Sequence, residues 1–171
     1  MADDDTTGTA SGISVTEAFR SPISQMMLEY WRGVTGDRAF PAWTDIQLID
    51  IYTIAPHIIV RDVVDGGREF RCRFSGTAAT AVLGIEATGK LISDTYNPRA
   101  TGLILARYRR AMEAAAPVRF VGYVQAVEKN LPTPYEAAYL PLAGPDGSVG
   151  HIIVAYDFDY EPLPDETSSP N

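Results

Sequence analysis

Two apolar segments joined by a tight turn constrain the fold of this chain more than any other feature. Residues 134–142 and 149–158 are rich in aliphatic, aromatic and β-branched side chains, and Ala-Gly-Pro-Asp-Gly separates them at residues 143–147. Proline suits the second position of a turn and glycine accepts a positive φ, so the pattern predicts an antiparallel hairpin. Apolar side chains of the second strand fall on both parities: Ile152, Val154, Tyr156 and Phe158 on one, Ile153 and Ala155 on the other. A strand apolar on both faces is covered on both faces, which predicts a central hairpin between two layers.

Two sequence signals predict the starts of helices. Ser21-Pro22 and Asn97-Pro98 each pair an N-cap residue with proline at the first helical position. The first helix is predicted to end near Gly33 or Gly36, and the second to run from Pro98 to about Ala115. An apolar stripe at spacings of three and four marks the first helix: Phe19, Ile23, Met26, Met27, Tyr30, Trp31 and Val34. The polar side of the second is predicted to be solvated, with Arg107, Arg109, Arg110 and Glu113.

Three further segments have the composition of strands, at residues 58–64, 69–74 and 118–127. A short helix is predicted at residues 78–83. The order of elements predicts an α+β fold with a five-stranded antiparallel sheet. Short helices and one long helix are expected on one face of this sheet, and an N-terminal amphipathic helix on the other.

Acidic residues concentrate near the two ends of the sequence. The net charge is -8, yet residues 21–158 carry 14 acids and 13 bases. We therefore expect a disordered acidic tail at residues 1–15, an amphipathic helix at 16–36, a folded domain at 37–158 and a disordered tail at 159–171. A nearly neutral folded part argues against nucleic acid or an anionic membrane as partner. A single cysteine and the lack of a secretory signal or a long apolar run favour the cytoplasm.

The order of elements and a series of short motifs resemble the PAS sensory domain, and most closely a bacterial subfamily in which a short protein is little more than one PAS fold. The resemblance covers roughly residues 26–158 and implies a PAS fold without implying a particular ligand. It is carried by Tyr30-Trp31-Arg32, Pro41, Asp45-Ile46, Ile54 to Asp62 around Pro56, Phe70 to Phe74 with Gly76-Thr77, Thr88-Gly89, Tyr135-Glu136, Leu140-Pro141-Leu142 and Asp146-Gly147.

A PAS-like fold leaves a pocket between the middle helices and the sheet. Strand parity and helix position predict the residues that face it: Phe70, Cys72, Phe74, Ile92, Tyr96, Ile104, Tyr108, Phe120, Leu140 and Ile152. These side chains either fill a core or surround a small apolar or carboxylate ligand. Pattern alone does not separate the two readings.

The sequence contains little that would bind the cofactors known from PAS domains. Haem-binding members use a histidine on the long helix, and residues 98–115 contain none. Flavin-binding members carry a reactive cysteine in a longer motif, of which only Cys72-Arg73-Phe74 is present, on a strand. His57 and His151 with one cysteine do not have the spacing of a zinc site. We therefore expect no cofactor and no metal.

The sequence favours a non-catalytic sensory and interaction module that acts on a separate signalling protein. Homodimerisation is expected through the N-terminal helix, with Phe19, Ile23, Met26, Met27, Tyr30 and Trp31 as interface candidates. The alternative is a small cone-shaped α+β enzyme of the isomerase or dehydratase type with Asp62 or His57 as base. That alternative requires an acid or a histidine facing the pocket.

Overall fold

An antiparallel sheet forms the centre of the protein. The computed structural model describes residues 18–127 and 132–166, together with the backbone of residues 11–12. Within these residues the strand order is β1-β4-β5-β6-β2-β3. The strands are β1 Ser11–Gly12, β2 Ile58–Val64, β3 Glu69–Ser75, β4 Val118–Gln125, β5 Pro132–Ala143 and β6 Val149–Asp157. The helices are α1 Pro22–Thr35, α2 Thr77–Leu83 and α3 Pro98–Ala114, with short 3-10 turns at Trp43–Asp45, Leu48–Ile51, Ala55–His57 and Asp65–Gly67.

The predicted α+β architecture and its five long strands are confirmed, and so are both predicted helix starts. The Ser21 hydroxyl accepts the Ser24 N–H at 3.0 Å, and Asn97 Oδ1 accepts the Ala100 N–H at 2.9 Å. The helix α1 ends at Thr35, and Gly36 follows with a φ of 59°. The local signals in the sequence therefore act as predicted at both helices.

The sheet separates two apolar clusters. On one face, the cluster between α2, α3 and the sheet includes Phe70, Tyr108 and Tyr139. On the other face, α1 covers side chains that include Leu140 and Ile153. The two layers predicted from the doubly apolar hairpin are thus present, and the central strands β5 and β6 contribute to both.

An irregularity between β2 and β3 overturns one predicted side-chain direction. Val60 pairs with Phe74 but Arg61 pairs with Cys72, so Arg73 is an extra residue on β3. The strict alternation predicted for β3 fails at this bulge, and Phe74 packs with the α1 cluster instead of facing α3. Leu140 was also assigned to the wrong face, because it lies opposite Ile153, which faces α1.

A buried charge network ties both ends of the described chain to the sheet. Arg119 Nε donates to Glu136 Oε2 at 2.7 Å, and the two side chains are 1% and 0% exposed. Glu136 also accepts the backbone N–H groups of Arg20 and Ser21 at 3.0 to 3.1 Å, just before α1. Glu166 approaches Arg119 Nη1 at 2.8 Å with its Oε1.

The chain beyond β6 contacts the sheet in a segment where the sequence analysis expects a disordered tail. Residues 159–166 return to the sheet, and Tyr160 is buried and accepts a hydrogen bond from Arg119 at 2.8 Å. Residues 1–10, 13–17 and 167–171, which the predicted tails also include, lie outside the described residues. Ser11–Gly12 pair with Phe120 and Val121 of β4, a short edge strand that the sequence analysis did not predict.

We predict that Trp31→Phe destabilises the protein. The buried Trp31 indole N–H donates to the Pro141 carbonyl at 2.9 Å and joins α1 to β5. Phenylalanine has no N–H, so the Pro141 carbonyl loses this hydrogen bond. The loss should lower the free energy of unfolding by about 1–3 kcal/mol in urea titrations. The exposed neighbouring change Arg32→Ala should stay within about 0.5 kcal/mol of the parent. Equal effects of the two changes would contradict the role of this contact.

We also predict an acid-dependent loss of stability through Glu166. Burial works to raise the pKa of this carboxyl, but the Tyr160 hydroxyl, the Leu163 N–H and Arg119 outweigh it and hold the pKa below its ordinary value of 4.5. The stabilisation is therefore complete above pH 4.5 and is lost as the pH falls through the lower folded-state pKa.

Glu166→Gln tests this assignment. The variant should be less stable than the parent at pH 7, and the difference should shrink as the pH is lowered below 4.5. Urea denaturation at a series of pH values measures it. A difference that does not depend on pH would contradict the ionic contribution.

Candidate functional site

A partly enclosed cavity of about 160 Å³ lies between α3 and the sheet. A single water needs only roughly 10–15 Å³ on this measure, so the space can hold a small organic molecule. The cavity lies on the face that the sequence analysis assigned to a pocket. Its walls are formed by Ile59, Arg61, Leu83, Tyr96, Ala100, Leu103, Ile104, Arg107, Tyr108, Tyr123, Val124, Gln125, Tyr135, Tyr139, Tyr156 and Phe158.

Arg61 extends from β2 into the cavity wall and is 1% exposed. Its guanidinium lies 5.6 Å from the centre of the Tyr108 ring, within the range of a cation–π contact. Its Nε and Nη1 are buried and find no hydrogen-bond acceptor among the residues that the structure describes. Burial works to lower the pKa of Arg61, while the Tyr108 and Tyr96 phenols outweigh it and raise the pKa. Arg61 is therefore a buried cation with unused donors.

Arg107 supplies a second guanidinium to the same cavity, from α3. It donates from Nη1 to the hydroxyl of Tyr135, and it lies 5.7 Å from the ring centres of both Phe120 and Tyr135. Its buried Nε has no acceptor within the described residues. The sequence analysis placed Arg107 on a solvated face, and this prediction is wrong because the side chain folds under the helix toward the sheet.

Tyrosine side chains form much of the remaining wall. Tyr139 and Tyr156 share a hydrogen bond of 3.0 Å between their hydroxyls. Burial raises the pKa of Tyr139 to about 12 and raises the pKa of Tyr156 as well. These phenols are neutral at physiological pH, so they provide dipoles and ring faces but no negative charge.

The wall residues consequently carry two positive charges and no negative one. Arg61 and Arg107 are its cations, and the wall contains neither aspartate nor glutamate. Surface arginines are hydrated, but a guanidinium removed from water requires a partner to offset the cost of its desolvation. The cavity is thus suited to an anion.

The predicted pocket residues divide into three groups. Tyr96, Ile104 and Tyr108 line the cavity. Phe74 and Leu140 lie on the opposite face, as described above. The others belong to the apolar cluster around the cavity without forming its wall: Phe70, Cys72, Ile92, Phe120 and Ile152.

Sequence reasoning missed both arginines. Arg61 lies in a segment predicted to be a strand, and its parity matches that of the apolar Ile59, which was the available signal. The signal at Arg107 was weaker, because Arg109 and Arg110 follow it and were assigned to the same polar side of the helix. A long side chain on a helix flank can reach either solvent or the sheet, and spacing alone does not decide between them.

Other candidates for chemistry lie elsewhere. Asp62 accepts two hydrogen bonds from Arg73, at 2.6 and 2.9 Å, and contacts His151 Nδ1 at 2.7 Å. Asp62 is not part of the cavity wall. His57 does not line the cavity either. Cys72 is buried, and burial raises the pKa of its thiol, which disfavours the reactive thiolate. No group of three or more potential metal ligands occurs among the described residues.

The interface candidates on α1 are largely used within the chain. Phe19, Met27 and Trp31 are buried in the cluster between α1 and the sheet. Ile23 and Tyr30 are half-buried, and Met26 remains 45% exposed. The helix therefore packs on its own sheet. None of the helices in the described part of the chain has the length and hydrophobicity to span a bilayer.

Two solved structures are among those similar to this chain. One is a mutant PAS-B domain of Cycle from Drosophila melanogaster with bound glycerol, at 14% identity and a TM-score of 0.41, covering 58% of this chain and 95% of that one. The other is an RNA-binding light-oxygen-voltage receptor, at 12% identity and a TM-score of 0.42, covering 89% of this chain and 38% of that one. No family model and no curated protein matches the sequence.

The chain has a PAS-like fold. Its strand order and the placement of its helices on the two faces of the sheet match the architecture that the sequence analysis expects.

We predict that Arg61→Met stabilises the unliganded protein. A buried cation with two nitrogens that lack an acceptor among the described residues is replaced by an apolar side chain of similar length, which should raise the free energy of unfolding by roughly 1–4 kcal/mol. Arg110→Met, an exposed change on α3, should alter it by no more than about 0.5 kcal/mol. Chemical denaturation of ligand-free protein measures both. Strong destabilisation by Arg61→Met would show that the guanidinium serves the fold instead of a ligand.

Proposed function

We propose that this protein is a PAS-type sensory module that binds a small carboxylate metabolite in the cavity beneath α3 and passes its state to a separate signalling protein in the cytoplasm. The observation that carries the proposal is Arg61, a cation that is 1% exposed and presents unused donors to a cavity. A side chain that costs stability in the empty protein is typical of a binding site.

The central strands offer a route from the cavity to α1. Tyr139 of β5 lines the cavity, and the next residue, Leu140, packs in the α1 cluster. On β6, Tyr156 likewise lines the cavity, and the residue before it, Ala155, packs in the α1 cluster. A ligand that alters the packing of the tyrosines would therefore act on residues adjacent to the α1 interface, and it would shift the population of α1 arrangements in proportion to its differential affinity for them.

The output is proposed to be a change in the contacts of α1 with a partner protein or with a second copy of this chain. The exposed surface of α1 includes Met26, with Ile23 and Tyr30 at its margin. Phe19, Met27 and Trp31 would join such an interface only if α1 left the sheet. Homodimerisation thus stays a prediction for the part of α1 that faces solvent.

A non-catalytic role is supported by the chemistry of the wall. General acid–base catalysis on a small molecule requires a titratable group close to the reacting atoms. The wall offers arginines and phenols, of which Tyr139 and Tyr156 have raised pKa values, whereas Asp62 is held by Arg73 and His151 outside the cavity. These groups bind and orient a ligand but are poorly suited to exchange protons with it near neutral pH.

Native mass spectrometry of the purified full chain, followed by solvent extraction of any adduct, tests the proposal. We expect a discrete small acid at one copy per chain, released when the protein unfolds, and the same spectrum reports the state of assembly. Arg110→Met should retain the adduct and Arg61→Met should lose it. A clean protein mass, together with no stabilisation of ligand-free protein by any small carboxylate, would overturn the proposal.

A further inference from the structure

The positive charge of the cavity is divided between two separate positions. Arg61 comes from β2, where it lies opposite Ile152 of β6 and Cys72 of β3. Arg107 comes from α3 and reaches over β5, where it bonds to Tyr135. The strand β6 lies between β2 and β5, and Arg61 is level with Ile152 and Pro141, six residues along β5 from Tyr135. The sheet positions beneath the two guanidinium groups are therefore separated both across and along the strands.

Each guanidinium is fixed by its own set of neighbours. Arg61 lies over the ring of Tyr108, and Arg107 lies between the rings of Phe120 and Tyr135. Gly122 is part of the second arrangement, because a Cβ at that position would lie 3.3 Å from Arg107 Nη2. The two cations are therefore held at distinct places in one cavity instead of converging on a single point.

The donors that remain unused are also divided between the two positions. Arg61 leaves Nε and Nη1 without an acceptor, and Arg107 leaves Nε, within the described residues. The Nε and Nη1 of Arg61 lie on different edges of the guanidinium, so each can donate a charge-assisted hydrogen bond to an anionic oxygen. One carboxylate on Arg61 would leave the charge of Arg107 unbalanced, and the wall supplies no acid to balance it.

Apart from Gln125, the rest of the cavity wall is apolar or aromatic. Ile104, Tyr139 and Tyr156 belong to this surface, and the tyrosine hydroxyls of the last two already bond to each other. A compact phosphate would concentrate its charge at one position and leave this surface uncovered. A short carbon chain would cover it.

We propose that the ligand is a small dicarboxylate, with one carboxylate on Arg61, the other on Arg107, and its carbon chain against the tyrosine rings. This inference rests on the proposed function and specifies the class of molecule that the same cavity takes. Two anionic groups at opposite ends of an apolar body neutralise both cations and use both sets of free donors.

Isothermal calorimetry on full-length, ligand-free protein tests the inference. The probes are succinate, glutarate, adipate and pimelate, the monocarboxylates butyrate, pentanoate, hexanoate and heptanoate as their length-matched controls, and inorganic phosphate. We expect at least one dicarboxylate to bind about tenfold or more tightly than its matched monocarboxylate, since the second carboxylate adds a charge-assisted contact. The optimum chain length reports the separation of the two guanidinium groups.

Single variants locate each end of the ligand. Arg107→Met should bind the best dicarboxylate and its matched monocarboxylate with equal affinity, because only Arg61 remains. Arg61→Met should weaken both probes, and Arg110→Met should retain the full preference of the parent. Circular dichroism of each variant confirms that the fold persists, and Arg107→Lys is the substitute if Arg107→Met does not fold.

The outcomes separate this inference from the proposed function. Equal binding of mono- and dicarboxylates by the parent, or tighter binding of phosphate, would overturn the dicarboxylate assignment while leaving a ligand-binding sensor. A neutral or singly charged adduct in native mass spectrometry would do the same. Failure of every dicarboxylate to bind ligand-free protein would overturn the inference, and failure of every carboxylate together with a clean native mass would overturn the proposed function too.

Discussion

The buried pair of Arg119 and Glu136 holds the architecture together at the point where three parts of the chain meet. Glu136 belongs to β5 and accepts the N–H groups that precede α1, while Arg119 of β4 also binds the segment after β6. Removal of Arg119 would leave the buried Glu136 carboxylate without its ion-pair partner, whereas removal of Glu136 would leave Arg119 paired with Glu166. The position of α1 on the sheet is thus tied to the electrostatics of the central strands.

Two kinds of buried arginine therefore coexist in one small domain. Arg119 has carboxylates in contact and completes the fold, whereas Arg61 has aromatic rings in contact and donors left over. The contrast between them supports the proposal that the cavity is a binding site more strongly than its size does. Proteins tolerate a local cost to stability where function requires it, and the rest of the domain offsets that cost.

Much of this fold could be predicted from the sequence because it depends on local rules. Ser21 and Asn97 cap their helices as expected, and the apolar parities of β6 identify two covered faces. The site was predicted less well. The bulge at Arg73 changes which face Phe74 occupies, and no residue near it signals an insertion in the pairing. The direction of Arg107 depends on the space beneath α3, which only the packed structure defines.

The sheet ends in two edges that are protected by different means. Beyond β3, residues 89–92 exchange backbone hydrogen bonds with Phe70 and Cys72 and occupy that edge. At β4, the pairing within the described part of the chain spans two residues, Ser11–Gly12, and the Val127 N–H bonds to the Val82 carbonyl of α2. A strand edge covered by so short a segment is the weaker barrier to intermolecular β-pairing. Shortened forms of the chain that lack the first dozen residues would consequently gain a surface for self-association, and their solubility would depend on β4 more than on any other strand.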